Sequence, residues 1–224
     1  MRVLPFSALK KHGQLPRSDA ANEDLVVAGS LPCMKIVFIS HRWLRPDRVA
    51  ARAHPDDASG SKYALVLHGL RKMMEQESWK EEDVYIWLDF CGIDQLDNEL
   101  KLRGVKSLRA YVAKSDAVLI PAVKGFDFYG EGKVWAHYIK EYGARAWCRV
   151  EAFTAVTVAL TKGLSAAPLY AIRPTAKPGH GVGHTAVSEL VPVRYSFRSD
   201  HLPSGGDLYS DADRKDIRKH EQAV

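Results

Sequence analysis

Residues Lys35–Ser40 read KIVFIS, and four consecutive apolar side chains in this run, Ile36 to Ile39, leave no polar face. A half-buried strand alternates apolar and polar positions. An unbroken apolar run of this length fits a strand covered on both sides, as in a parallel sheet. Three further runs have the same character: Val84–Asp89 (VYIWLD), Ala117–Val123 (AVLIPAV) and Pro168–Ile172 (PLYAI). Helical patterns fall between them, over Lys62–Glu77, Glu99–Ala113 and Arg145–Leu160. Strand and helix in strict alternation predict an α/β, doubly wound parallel sheet with helices on both faces.

Working outward, the remaining chain is harder to assign. Gln14–Asp19 (QLPRSD) reads as an irregular arm, and Leu25–Val27 as an edge strand or a clasp. Beyond Arg173 the segment PTAKPGHGVGH carries proline and glycine at the density of turns. Asp211–Gln222 mixes charge signs and reads as a solvated helix. The expectation is one domain over residues 1–224, with a core at about 35–174, an N-terminal arm at 1–34 and a C-terminal extension at 175–224.

Composition excludes several classes. The chain has 224 residues, 46% apolar and 26% charged, the balance of a globular protein rather than of a disordered or fibrous one. No apolar run approaches the ~18 residues of a membrane span, and Met1 to Lys11 carries no secretory signature. Three cysteines, Cys33, Cys91 and Cys148, are too few and too scattered for a disulfide framework or a zinc site. A cytoplasmic protein without a metal is the expectation. The 32 basic and 27 acidic residues are spread rather than clustered, so nucleic acid is not expected as a partner.

Ligands of open parallel sheets bind beyond the carboxyl ends of the strands, near the point where strand order reverses. The polar residues there are Ser40, His41, Arg42, Asp89, Asp94, Gln95, Lys124 and Asp127. A sharper anomaly is the helix RAWCRVEAFTAVTVAL, which carries no charge after Glu151. A carboxylate on so apolar a helix is costly unless it is hydrogen-bonded or opens onto a cleft. Trp147 lies four residues before it, on the same helix face. Two readings stay open: a functional carboxylate beside an aromatic plate, or a structural ion pair with Arg42, Arg145 or Arg149.

Three segments carry a family resemblance. FISHRW (Phe38–Trp43) resembles the first strand and following loop of TIR domains; WLDFCGIDQ (Trp87–Gln95) falls where those domains place the second strand and its loop. WCRVE (Trp147–Glu151) resembles their W-C-x-x-E helix signature. WLDFCGIDQ is also similar to a block of heterokaryon-incompatibility domains, which are distant TIR relatives. The likeness covers about Lys35 to Pro174. It implies a flavodoxin-like sheet of about five strands and an NAD⁺ glycohydrolase that releases nicotinamide, with possible cyclisation of the ADP-ribose, in defence or cell-death signalling.

On that resemblance NAD⁺ is the substrate, and no further cofactor is implied. Glu151 is the catalytic carboxylate and Trp147 stacks on a substrate ring. Arg42 meets a phosphate, and Ser40, His41 and Asp89 line the same place. Self-association through TIR-like surfaces is implied as well. The alternative in the same family is a non-enzymatic adaptor that works by homotypic assembly; a deoxyribosyltransferase-like enzyme, which also uses a carboxylate on a related sheet, is a third reading. Asp56 and Asp57 in HPDD read as a solvated turn. Trp43 reads as packing, and GHGVGH (Gly179–His184) lacks the spacing of a phosphate loop.

Overall fold

A computed structural model describes residues 1–46, 52–122, 142–164, 168–174, 188–193, 202–206, 208 and 212–222. The chain begins with β1 (Arg2–Pro5), α1 (Phe6–His12), α2 (Ser18–Ala21) and β2 (Val26–Val27). There follow β3 (Lys35–Ile39), α3 (Ser61–Glu77), β4 (Val84–Trp87), α4 (Asp89–Gly92), α5 (Asn98–Lys106), α6 (Leu108–Ala113) and β5 (Ala117–Pro121). The remaining elements are α7 (Ala146–Thr161), β6 (Leu169–Pro174), β7 (Ser188–Pro192) and α8 (Ala212–Gln222).

The strands form one seven-stranded sheet in the order β2-β1-β4-β3-β5-β6-β7. The four apolar runs supply its parallel centre, β4-β3-β5-β6. The architecture is therefore α/β, but the sheet is mixed and larger than the sequence suggests. β1 pairs antiparallel with β4, β2 with β1, and β7 with β6. The N-terminal segment read as an arm thus finishes one edge, and the segment after β6 finishes the other. Arg2–Pro5 escapes sequence reading because it is short and runs directly into a helix.

Alternation along the strands divides the core in two. Ile36, Phe38, Tyr85, Trp87, Val118 and Ile120 face α6 and α7. Val37, Ile39, Ile86, Leu119 and Ile172 face α1 and α3, meeting Phe6, Leu9, Val66, Leu70 and Met73. The α3 residues recur at helical spacing, so one stripe of that helix is buried. Gly69 lies on that stripe because a β-carbon there would fall 2.8 Å from Leu119 Cδ2. On the other face Phe38 and Trp87 stack with ring centroids 4.5 Å apart.

Two expectations are corrected. The single helix over Glu99–Ala113 is broken at Ser107, whose hydroxyl donates to Arg103 O at 2.9 Å while its N–H also bonds backward. Such side-chain bonding competes with helix continuation. The C-terminal helix is not wholly solvated, because Ile217 is fully buried against Ala146 and Val150. No helix among the described residues is long and apolar enough to cross a membrane.

Candidate functional site

The chain runs from β3 outward to β4 and then back past β3 to β5, so the strand order reverses between β3 and β5. Ser40 is the first residue beyond β3, and its backbone N–H donates to Leu119 O of β5 at 3.0 Å. Its side chain is fully buried and hydrogen-bonds both the Glu151 carboxyl and the Tyr142 hydroxyl. Tyr142 in turn donates to Cys148 O at 3.0 Å, in the first turn of α7. Residues from the strand exit, from the turn before α7 and from α7 itself thus meet through one hydrogen-bonded chain. Tyr142 was not singled out in the sequence. A tyrosine one turn ahead of an apolar helix looks like packing until its hydroxyl is placed.

Glu151 is 8% exposed. Burial pushes its carboxyl up to about 8; the Ser40 hydrogen bond and the Arg145 charge oppose this, and Asp89 adds to it. At neutral pH the acid is therefore mostly protonated. Of the three arginines open as ion-pair partners, Arg149, two residues away, points elsewhere, with its Nη1 donating to Leu202 O at 3.0 Å and its Nε to Gly143 O.

His41 begins a second chain. Lys62, fully buried near the start of α3, donates to Arg42 O and Pro55 O and approaches His41 Nδ1 at 3.3 Å. The opposite ring nitrogen, His41 Nε2, lies 2.9 Å from Asp89 Oδ1, and Trp43 Nε1 donates to Asp89 Oδ2 at 2.8 Å. Since Lys62 offers only donors, His41 Nδ1 accepts and Nε2–H donates to Asp89, which assigns a neutral imidazole. Burial lowers the His41 pKa, with Asp89 opposing and Lys62 reinforcing the shift. Burial works against ionised Asp89, yet His41, Trp43 and the Phe90 N–H together hold its pKa below the ordinary value. Burial also lowers Lys62 to about 8, against the attraction of Asp56 and Asp89.

The HPDD turn is not solvated. Asp56 is 2% exposed and accepts the N–H groups of Lys62 and Tyr63, each at 2.8 Å, while Asp57 accepts that of Ser61 at 3.0 Å. These carboxylates satisfy the open donors at the start of α3. Side chains four and five residues ahead of the helix lie outside the usual capping positions, which is why the sequence pattern missed them.

The other expected residues separate. Asp89 keeps 30% of its side chain exposed, although it begins the short helix α4 rather than ending a strand. Arg42 is exposed, with its carbonyl committed to Lys62. Trp147 is partly buried against the Ala146, Val150 and Ile217 cluster, so it joins the contact between α7 and α8. Trp43 packs edge-on against Phe90 with centroids 5.4 Å apart, as packing predicts, but its indole N–H also orients Asp89. Lys124, Asp127 and GHGVGH lie outside the described residues.

The cavities formed by described residues include one of about 360 Å³ beside β1, α4 and α5 and one of about 170 Å³ beside β5 and α7. Glu151 lines neither. No group of three or more His, Cys, Asp or Glu side chains is placed to hold a metal ion among the described residues. Burial pushes the Cys91 thiol up to about 12 and raises Cys148 well above the ordinary thiol value, so neither is a ready nucleophile. The chain matches no protein-family model, no curated protein and no solved structure.

Proposed function

We propose that this chain is a TIR-like NAD⁺ glycohydrolase in which Glu151 serves the reacting ribose. The observation that carries the reading is the Glu151 carboxyl itself. It sits on an apolar central helix and meets Ser40 where the order of the parallel strands reverses. The order β4-β3-β5-β6 supports a flavodoxin-like centre, because it repeats the 2-1-3-4 arrangement of that sheet.

In the proposed reaction the bond between ribose C1′ and the nicotinamide nitrogen breaks, and its electron pair leaves with the base. Nicotinamide departs neutral, so no acid is needed. The ribose gains oxocarbenium character, which a carboxylate stabilises. Water then bonds to C1′ and gives up a proton. Burial keeps a proton on Glu151 at neutral pH; a cationic substrate favours its ionised form. Ser40 holds the carboxyl in place. Asp89 is the partly buried carboxylate next along the strand ends, oriented by His41 and Trp43. Arg42 for phosphate, Trp147 for ring stacking, self-association, cytoplasmic location and a defence or cell-death role rest on the resemblance.

The test is nicotinamide release from NAD⁺ by purified protein across a concentration series, followed chromatographically. Glu151→Gln should lose on the order of 10²–10⁴-fold in rate with unchanged circular dichroism. Equal turnover by both proteins would remove Glu151 from the reaction. Concentration-dependent assembly without turnover would instead support the adaptor reading.

A further inference from the structure

The 360 Å³ cavity lies at the seam where the N-terminal segment packs on α4, α5 and α6. It has the size of a small-molecule site. Arg2 from β1 and Arg103 from α5 both line it. Arg2 is fixed by its hydrogen bond to Asn22 Oδ1 at 2.6 Å. Arg103 has no hydrogen bond or ion pair through its guanidinium among the described residues. The single carboxylate in the lining is Asp94, whose Oδ1 accepts the N–H groups of Leu96 and Asp97 at 2.8 Å each and whose charge attracts Arg2. Two guanidinium groups against one carboxylate leave the lining with one net positive charge, and the donors of Arg103 face no acceptor among the described residues. The rest of the wall is mixed: Ser18, Asn22 and Ser107 are polar, while Leu25, Leu100 and Tyr111 supply an apolar and aromatic part.

We propose that this cavity binds a small organic phosphate, with the phosphate between Arg2 and Arg103 and the organic body against Leu25, Leu100 and Tyr111. Guanidinium forks suit phosphate oxygens, and two of them from separate elements define one place for the group. A bare phosphate would leave most of the volume unfilled. Ser40, Tyr142 and Glu151 do not line the cavity, so the inference is independent of the proposed reaction.

Phenyl phosphate is a suitable probe because it shares no ribose or nicotinamide with NAD⁺. Titration calorimetry on the full chain should show saturable binding, at least 10-fold tighter than inorganic phosphate. Arg103→Gln should weaken it by 10-fold or more. Arg218→Gln, which removes the same charge from exposed α8, should bind as the parent does. Glu151→Gln should also bind unchanged, separating this site from the candidate reaction centre. Absent saturable binding, equal affinity in Arg103→Gln, or inorganic phosphate binding as tightly as the ester would each overturn the assignment.

Discussion

Ser40 and Glu151 are 111 residues apart and share a buried hydrogen bond at the carboxyl end of β3. The next residue, His41, holds a second acid, Asp89. One strand exit therefore fixes two carboxyl groups of opposite character. Burial keeps Glu151 protonated, whereas the donors around Asp89 keep it ionised. Paired titratable groups pushed apart in this way are the usual raw material of acid and base chemistry.

Glu151 makes stability depend on pH. Its folded pKa, about 8, lies above its ordinary value of 4.5, so over this interval the folded state binds the proton that the unfolded state has lost. Its contribution to stability is fully present below the ordinary value. It falls by roughly 1.4 kcal/mol per pH unit as pH rises toward the folded value. Glu151→Gln has no proton to lose. We expect the variant to match the parent near pH 5 and to exceed it in stability at pH 8, by denaturant melts at both. Parallel pH profiles for the two proteins would show that Glu151 is ionised throughout.

Ser40 holds that carboxyl by a hydrogen bond, and Tyr142 holds Ser40. Ser40→Ala removes the link shared by Glu151 and Tyr142 and leaves both in the interior with one partner fewer. A loss of about 1–3 kcal/mol in urea unfolding is expected. The Glu151 proton affinity should also rise, because the Ser40 bond favours the ionised form. Carbonyl infrared spectra comparing the parent, Ser40→Ala and Glu151→Gln would follow the protonated carboxyl directly. An unshifted titration in Ser40→Ala would refute the role given to Ser40.

How much of this was legible beforehand varies by element. The parallel strands announced themselves because burial on both faces leaves a continuous apolar run, as in KIVFIS. Glu151 stood out as the last charge before an uncharged, largely apolar run to Leu160. β2 was legible only as an edge strand or a clasp over Leu25–Val27, and β1 not at all, since a short antiparallel strand gains its identity from partners distant in sequence. Lys62 carried no signal either. A lysine near a helix start normally points to water, and only the fold shows two carbonyls and an imidazole converging on it. The chain of contacts through Tyr142 was hidden for the same reason. Trp147 shares a helix face with Glu151 by spacing, yet part of its surface is taken by the α8 contact, which helical periodicity does not report.

Lys62 ties the two ends of the excursion after β3, through Arg42 O and Pro55 O. Lys62→Met keeps the aliphatic stem and deletes the donors. It should cost about 2–5 kcal/mol, since two carbonyls and the His41 ring lose a partner. The pKa of Lys62 is depressed from 10.5 to about 8, so the unfolded state binds more protons between these values. Its cost to the fold is fully present below pH 8 and is relieved toward pH 10.5. The deficit of Lys62→Met should therefore widen over that range in thermal melts corrected for the parent; a deficit independent of pH would place the ionisation elsewhere.

Gly92 closes α4 against the face of Trp87, where a β-carbon would lie 2.7 Å from Nε1 and 3.1 Å from Cε2. Trp87 cannot yield easily, being 1% exposed and stacked on Phe38. Its Nε1 is also the single buried side-chain nitrogen or oxygen without a hydrogen-bond partner among the described residues. Gly92→Ala should therefore displace the indole or α4, at a cost of about 1–3 kcal/mol. Because α4 begins at Asp89, displacement of α4 would also disturb the His41 and Trp43 bonds to that carboxylate. Near-ultraviolet circular dichroism and the His41 proton resonances should change together in the variant. A stability loss with the His41 resonances unmoved would confine the strain to the Trp87 side and separate the core from the candidate site.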